Sequence, residues 1–145
     1  MSIYKEFARK YFKECLKDLD RALRAIQFRD YPQAAFYSQQ CVEKCAKAML
    51  EVRRRVVYNH EPELLTVFID AFSDEWRGEY DAVVTAMEFL TEYYTRARYP
   101  TLFRGKVYSP DDVVSSDVAL KAVELAKKVV EVAGSYLRRE GIITN

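Results

Sequence analysis

Apolar residues recur every three or four positions along most of this chain, and each such series reads as one face of a helix. Ile3, Phe7, Tyr11, Cys15, Leu19, Ala22, Leu23 and Ile26 form the first series. It predicts an amphipathic helix of about 25 residues, with Lys5, Glu6, Lys13, Lys17, Asp20 and Arg24 on the other faces. The pattern breaks at Arg29-Asp30-Tyr31-Pro32. Asp30 with Gln33 three residues later resembles a capping box, and proline is tolerated in a first turn, so a second helix is predicted over residues 32 to about 55. The short connection makes the two helices antiparallel neighbours. Asn59 or His60 can cap a third helix, whose apolar face is Leu64, Val67, Phe68, Ala71 and Phe72. Residues 73–78 read as a loop carrying Trp76 as a lid on the core. Tyr80, Val83, Val84, Met87, Leu90 and Tyr94 stripe a fourth helix over residues 79–96, and Pro100 disfavours helical geometry at Tyr99. Residues 101–112 read as an aromatic loop. Val118, Ala122, Leu125, Ala126, Val129, Val130, Ala133 and Leu137 line a final helix beginning near Ser115 or Ser116. The prediction is an all-α chain: an antiparallel up-and-down helical bundle of about five helices, forming a single domain over residues 1–145.

The second helix carries two unlike edges. Cys41, Cys45, Ala48, Met49 and Val52 form an apolar stripe, while Gln40, Glu43, Lys44 and Lys47 fall at offsets 0, 3, 4 and 7 on a neighbouring one. One reading of the polar stripe is wet surface, with Glu43–Lys47 pairing worth a few tenths of a kcal/mol. The other is a cleft wall whose ammonium groups meet phosphate.

Composition narrows the function classes. A chain of 145 residues fits one domain and buries roughly 70% of its unfolded surface, so it needs no disulfide or metal staple. The net charge of +1 gives no global field for nucleic acid, although Arg53, Arg54 and Arg55 are consecutive and Arg96, Arg98 and Arg104 cluster. Cys15, Cys41 and Cys45 all fall on apolar stripes and read as small buried thiols in a reducing, cytoplasmic setting. With no Cys-x-x-Cys pair and a single histidine, no metal site is expected, and no cofactor. The apolar runs are too short to span a bilayer, and the amphipathic N-terminus is not signal-like. A Gly-rich phosphate loop, a nucleophile elbow and the His-Glu-x-x-His pattern are all missing.

Asp18 and Ala22 in the first helix, then RDYPQAAFYSQQCVEKCAKAML, then His60 with Leu64, then Arg98-Tyr99-Pro100 closing the fourth helix, together give a pattern that resembles the HEPN (higher eukaryotes and prokaryotes nucleotide-binding) family. The resemblance implies a bundle of about five helices, often a homodimer, that binds a nucleotide or partners a small nucleotidyltransferase in a toxin–antitoxin pair. Many HEPN proteins are RNases that place an arginine and, four to six residues later, a histidine near the end of the fourth helix. Here Tyr99, Pro100, Thr101, Leu102 and Phe103 follow Arg98 with no histidine. The expectation is therefore a non-catalytic module, with a metal-independent RNase bearing a degenerate centre as the alternative; RNA as a ligand is not favoured. No catalytic residue is assigned. The binding residues expected are Gln40, Glu43, Lys44 and Lys47 on one wall and Arg96, Arg98 and Tyr99 on the other, since guanidinium forks suit phosphate and tyrosine faces suit bases. The competing reading has Arg98 bonding the last carbonyls of its own helix. His60 is a further candidate. Its spacing from the three arginines formally fits the Arg–His pattern, but at the wrong helix junction, and a helix cap is the plainer role. Tyr4, Tyr11, Phe12, Phe36 and Tyr37 are surplus aromatic positions that suit a dimer interface.

Overall fold

Seven α-helical segments and one two-stranded hairpin form among residues 2–56 and 63–144, the part of the chain that this computed structural model describes. The helices are α1 (Ile3–Gln27), α2 (Tyr31–Val52), α3 (Glu63–Phe72), α4 (Asp81–Thr91), α5 (Tyr93–Arg96), α6 (Pro110–Val113) and α7 (Ser116–Arg139), and the strands are β1 (Thr101–Phe103) and β2 (Lys106–Tyr108). Short 3-10 turns at Ser73–Glu75 and Gly78–Tyr80 link α3 to α4. The bundle is helical, as the periodicity predicts.

Local chemistry sets the breaks. The Asp30 carboxylate accepts from the Gln33 N–H at 3.4 Å and caps α2, with Pro32 inside its first turn. Arg29 and Arg54 close α1 and α2 in the left-handed region, each at φ 58°, where α7 uses Gly141 at φ 71°. In each case the next N–H reaches back to a carbonyl of the last turn: Asp30 to Ala25 at 2.8 Å, Arg55 to Leu50 at 2.9 Å and Ile142 to Leu137 at 2.9 Å.

Helix α2 is the centre of the molecule. It packs most extensively on α1, then on α7 and α4, and 14 of its 22 residues are buried. Alanines at 8, 22, 34, 35, 46 and 48 are fully buried, and such small side chains let helix axes approach closely. At one end Phe68, Phe72, Trp76, Tyr80 and Tyr136 form an edge-to-face aromatic cluster, and the Trp76 indole N–H donates to Asp81 at 2.9 Å. Trp76 is the core lid expected of it.

Three expectations are corrected. The fourth helix is divided at Glu92 into α4 and α5, and the Thr91 hydroxyl donates to the Met87 carbonyl at 2.6 Å, a back-bond of the kind that bends helices. The expected loop over residues 101–112 holds a hairpin and α6. Arg104 and Gly105 both take positive φ, 49° and 76°, as a two-residue hairpin turn requires, and Thr101 pairs with Tyr108 and Leu102 with Val107. Ser109 and Asp112 then form a reciprocal capping box on α6. Finally, the stripe of α1 is not uniformly interior: Ile3 and Phe7 are exposed, while Ala8, Cys15, Asp18 and Ala22 are buried. The proposed caps Asn59 and His60 lie outside the described residues. Among the described residues no helix is long and apolar enough to cross a membrane.

Candidate functional site

The polar stripe of α2 is not wet surface. Glu43 is buried, and Gln40, Lys44 and Lys47 are only partly exposed. Burial of charge demands partners, and the chain supplies them across the α1–α2 seam. Asp18 of α1, 1% exposed, accepts from the Lys44 ammonium at 2.6 Å through Oδ2 and from the Arg21 guanidinium at 2.7 Å through Oδ1. That hydrogen bond to Asp18 holds Arg21 above the ordinary arginine range. One turn further along α2, Lys47 pairs with Glu43 at 3.5 Å. Gln40 donates to the buried Gln39 side chain at 2.7 Å. At the far end of the stripe burial pushes the Glu51 carboxyl up. Both lysines of the predicted wall are therefore already engaged by carboxylates.

The second predicted wall divides in two. Arg98 turns toward α2. Its Nε donates to the Tyr94 carbonyl at 3.1 Å, closing its own helix, and its guanidinium carbon stands over the rings of Tyr94 at 4.4 Å, Tyr99 at 5.0 Å and Phe36 at 5.2 Å. The two readings offered for Arg98 are thus compatible: Nε caps the helix, and among the described residues the terminal nitrogens take no protein acceptor. Arg96 turns the other way. It pairs with Glu92 at 3.6 Å and lines a separate cavity of about 210 Å³ with Thr101, Phe103, Tyr108, Asp112 and Val113, beneath the hairpin.

Arg98 meets the α2 stripe through Phe36, four residues before Gln40. Phe36 contacts Tyr37 edge-on with centroids 5.3 Å apart, and the Arg21 guanidinium lies 5.9 Å from the Tyr37 ring. A belt of two guanidiniums interleaved with aromatic rings therefore crosses the surface: Arg21, Tyr37, Phe36, Arg98, Tyr94 and Tyr99. The sequence pattern points to Arg98 and Tyr99 but not to Arg21, and it marks Asp18 only as part of a family pattern. A buried-side aspartate at i, i+3 from an arginine is the signal that could have found the pair. Phe36 and Tyr37 belong to this belt, and Phe12 turns inward onto Gly134 of α7, so neither group provides the outer face of α1. That face is Ile3, Phe7 and Tyr11, with shallow grooves between them, and Tyr4 is covered by Arg54 at 4.5 Å.

The HEPN domain family model matches residues 8–136. A Methanocaldococcus jannaschii protein named "Putative toxin MJ1304" is 25% identical over 138 residues, which cover 93% of this chain and 91% of that protein. Two crystal structures share the fold. TT1696 from Thermus thermophilus superposes with a TM-score of 0.72 at 24% identity, covering 90% of this chain and 98% of the other. ST0689, an archaeal HEPN homologue, gives a TM-score of 0.67 at 21% identity, covering 88% and 95%.

Proposed function

We propose that this chain, which belongs to the HEPN domain family, is a non-catalytic binding module of a toxin–antitoxin-type pair that takes a nucleotide, or the nucleotide-handling surface of a small nucleotidyltransferase, on the Arg98 platform. The observation that carries the reading is the state of Arg98. Three rings and one backbone carbonyl fix its guanidinium, and two terminal nitrogens remain for a phosphate fork. Tyr99, 54% exposed, offers a face for a base beside it. Gln40 continues the platform along α2, while Lys44 ties the wall to α1 through Asp18 and Lys47 pairs with Glu43 within α2. The relative named as a toxin supports the toxin-type assignment. The absence of any histidine after Arg96 and Arg98 in the sequence supports a non-catalytic role. The module works as a homodimer joined through the α1 face of exposed Ile3 and Phe7 with half-buried Tyr11.

Calorimetry with ATP, GTP and nucleoside monophosphates tests the site. Wild-type protein binds at least one of them, and Arg98→Ala and Tyr99→Ala each weaken that binding by about tenfold or more. Binding unchanged in both variants removes the site. If no nucleotide binds, a separately purified nucleotidyltransferase encoded beside this chain must bind instead, and must lose affinity in Arg98→Ala. Metal-free protein incubated with labelled RNA leaves it intact; cleavage lost in Arg96→Ala overturns the non-catalytic assignment. Light scattering reports a dimer that Phe7→Glu dissociates.

A further inference from the structure

Three sulfurs that the sequence keeps apart meet in the core. Cys15 comes from α1, and Cys41 and Cys45 come from successive turns of α2. Their Sγ atoms all lie within 4.8 Å of one another, each residue is fully buried, and none is in a disulfide. Sequence spacing argues against a metal here, because there is no Cys-x-x-Cys pair; folding supplies the third ligand from another helix.

We infer that Cys15, Cys41 and Cys45 form a trigonal thiolate site for a soft divalent d¹⁰ metal ion. The geometry supports it first. At the limiting 4.8 Å separation, the centre of an equilateral triangle lies about 2.8 Å from each sulfur, and a metal–thiolate bond of about 2.3 Å needs each sulfur to move inward by only about 0.5 Å. No cavity is required, because the ion occupies the space the thiol hydrogens leave. Binding releases one proton from each thiol that becomes a ligand.

Ligand chemistry sets the class of ion. Thiolates select soft ions over magnesium or calcium. Among the described residues no fourth histidine, cysteine or carboxylate joins the group, which gives three protein ligands. The charge also fits a divalent ion. Three thiolates around it carry one net negative charge, and the adjoining Asp18, Lys44 and Arg21 cluster carries one net positive charge. Asp18 and Lys44 stand close enough to act electrostatically on Cys41. The neighbouring positive charges, partly exposed at Lys44 and Arg21, offset part of the cost of burying a net negative metal–thiolate group. The competing arrangement is three thiols sharing S–H···S contacts as ordinary core.

Cadmium(II) is the probe, added to reduced, thiol-free protein either in the folded state or during refolding from urea, since the sulfurs have no solvent exposure. The site predicts one ion per chain, a thiolate-to-cadmium charge-transfer absorbance, and a rise in Tm, because a ligand held only by the folded state stabilises it. Cys15→Ala, Cys41→Ala and Cys45→Ala each lose the absorbance and the rise. If cadmium lowers Tm, it is captured by thiols of the unfolded chain, and the site is wrong. Absence of binding by both loading routes, or an absorbance that survives Cys15→Ala, also overturns it. Should an alanine variant not fold, the sign of the wild-type Tm shift still decides.

Discussion

Replacing Lys44 by methionine isolates the value of the seam between α1 and α2. Methionine keeps a flexible unbranched stem and removes the ammonium. Asp18 stays at 1% exposure, and its Oδ2 loses a 2.6 Å charge-assisted bond, while Arg21 still holds Oδ1 at 2.7 Å. Stranding a buried charge completely costs about 3–5 kcal/mol, and one hydrogen bond to a charged group contributes about 1.5–3 kcal/mol. With one partner retained, the expected loss is about 2–3 kcal/mol. For a domain of this size, that lowers the urea midpoint by about 1–1.5 M if the slope is near 2 kcal/mol per M. The double variant Asp18→Leu/Lys44→Met removes both charges and recovers much of the loss, because an apolar pair in the same volume is close to neutral. Raising the salt concentration changes the single-variant effect little, since a buried pair is poorly screened. Equilibrium urea denaturation followed by far-ultraviolet circular dichroism reads all of this. A single-variant loss below about 0.5 kcal/mol, or a double variant less stable than Lys44→Met, refutes the claim that Asp18 depends on Lys44.

Two further outcomes follow from single residues. Among the described residues the buried Tyr136 hydroxyl meets no hydrogen-bond partner, and burial pushes its ionisation up to about 12 although the Arg53 guanidinium beside it pulls the other way. An unfolded tyrosine ionises near ~10, so the folded state keeps a proton the unfolded chain gives up; its contribution is full below about pH 10 and is lost as pH rises toward 12, by no more than about 2 kcal/mol. Tyr136→Phe therefore stays within about 0.5 kcal/mol of wild type at neutral pH and loses less stability between pH 10 and 12; a large neutral-pH loss shows that the hydroxyl is bonded after all. Arg29→Gly relieves a left-handed residue at the end of α1 and raises stability by about 0.5–1 kcal/mol in the same urea assay, and a loss there contradicts the backbone argument.

The long elements were legible because their signal is redundant. The residues of α1, α2 and α7 repeat an apolar period over many turns, so a few ambiguous positions do not alter the outcome. The hairpin was not legible, because Arg104 at positive φ carries no turn signature and only Gly105 does. The site was half legible. Periodicity places Gln40, Glu43, Lys44 and Lys47 on one stripe of α2, but it cannot say whether that stripe faces water or α1. That choice rests on Asp18, a single charged residue within an apolar series, whose partners stand three and 26 positions away. Likewise, Arg96 and Arg98 are adjacent in the pattern, yet the bend after Thr91 and the turn following Arg96 send them to different sides.

The same seam therefore carries two kinds of polar content, and this decides how function must be probed. Asp18 meets Lys44 and Arg21 there as ion pairs, and Cys15, Cys41 and Cys45 meet there as sulfurs. Any change to these residues alters the packing of α1 on α2, the most extensive contact in the molecule. Loss of binding in a Lys44 variant, or in a Lys47 variant that strands the buried Glu43, thus reports stability as readily as ligand contact. Arg98 and Tyr99 differ in kind. They sit at a helix exit, partly or largely exposed, and their removal leaves the seam intact. A binding defect in Arg98→Ala with an unchanged urea midpoint therefore assigns the ligand to the platform, whereas a defect that tracks the midpoint across Lys44, Lys47 and Arg98 variants assigns it to the fold.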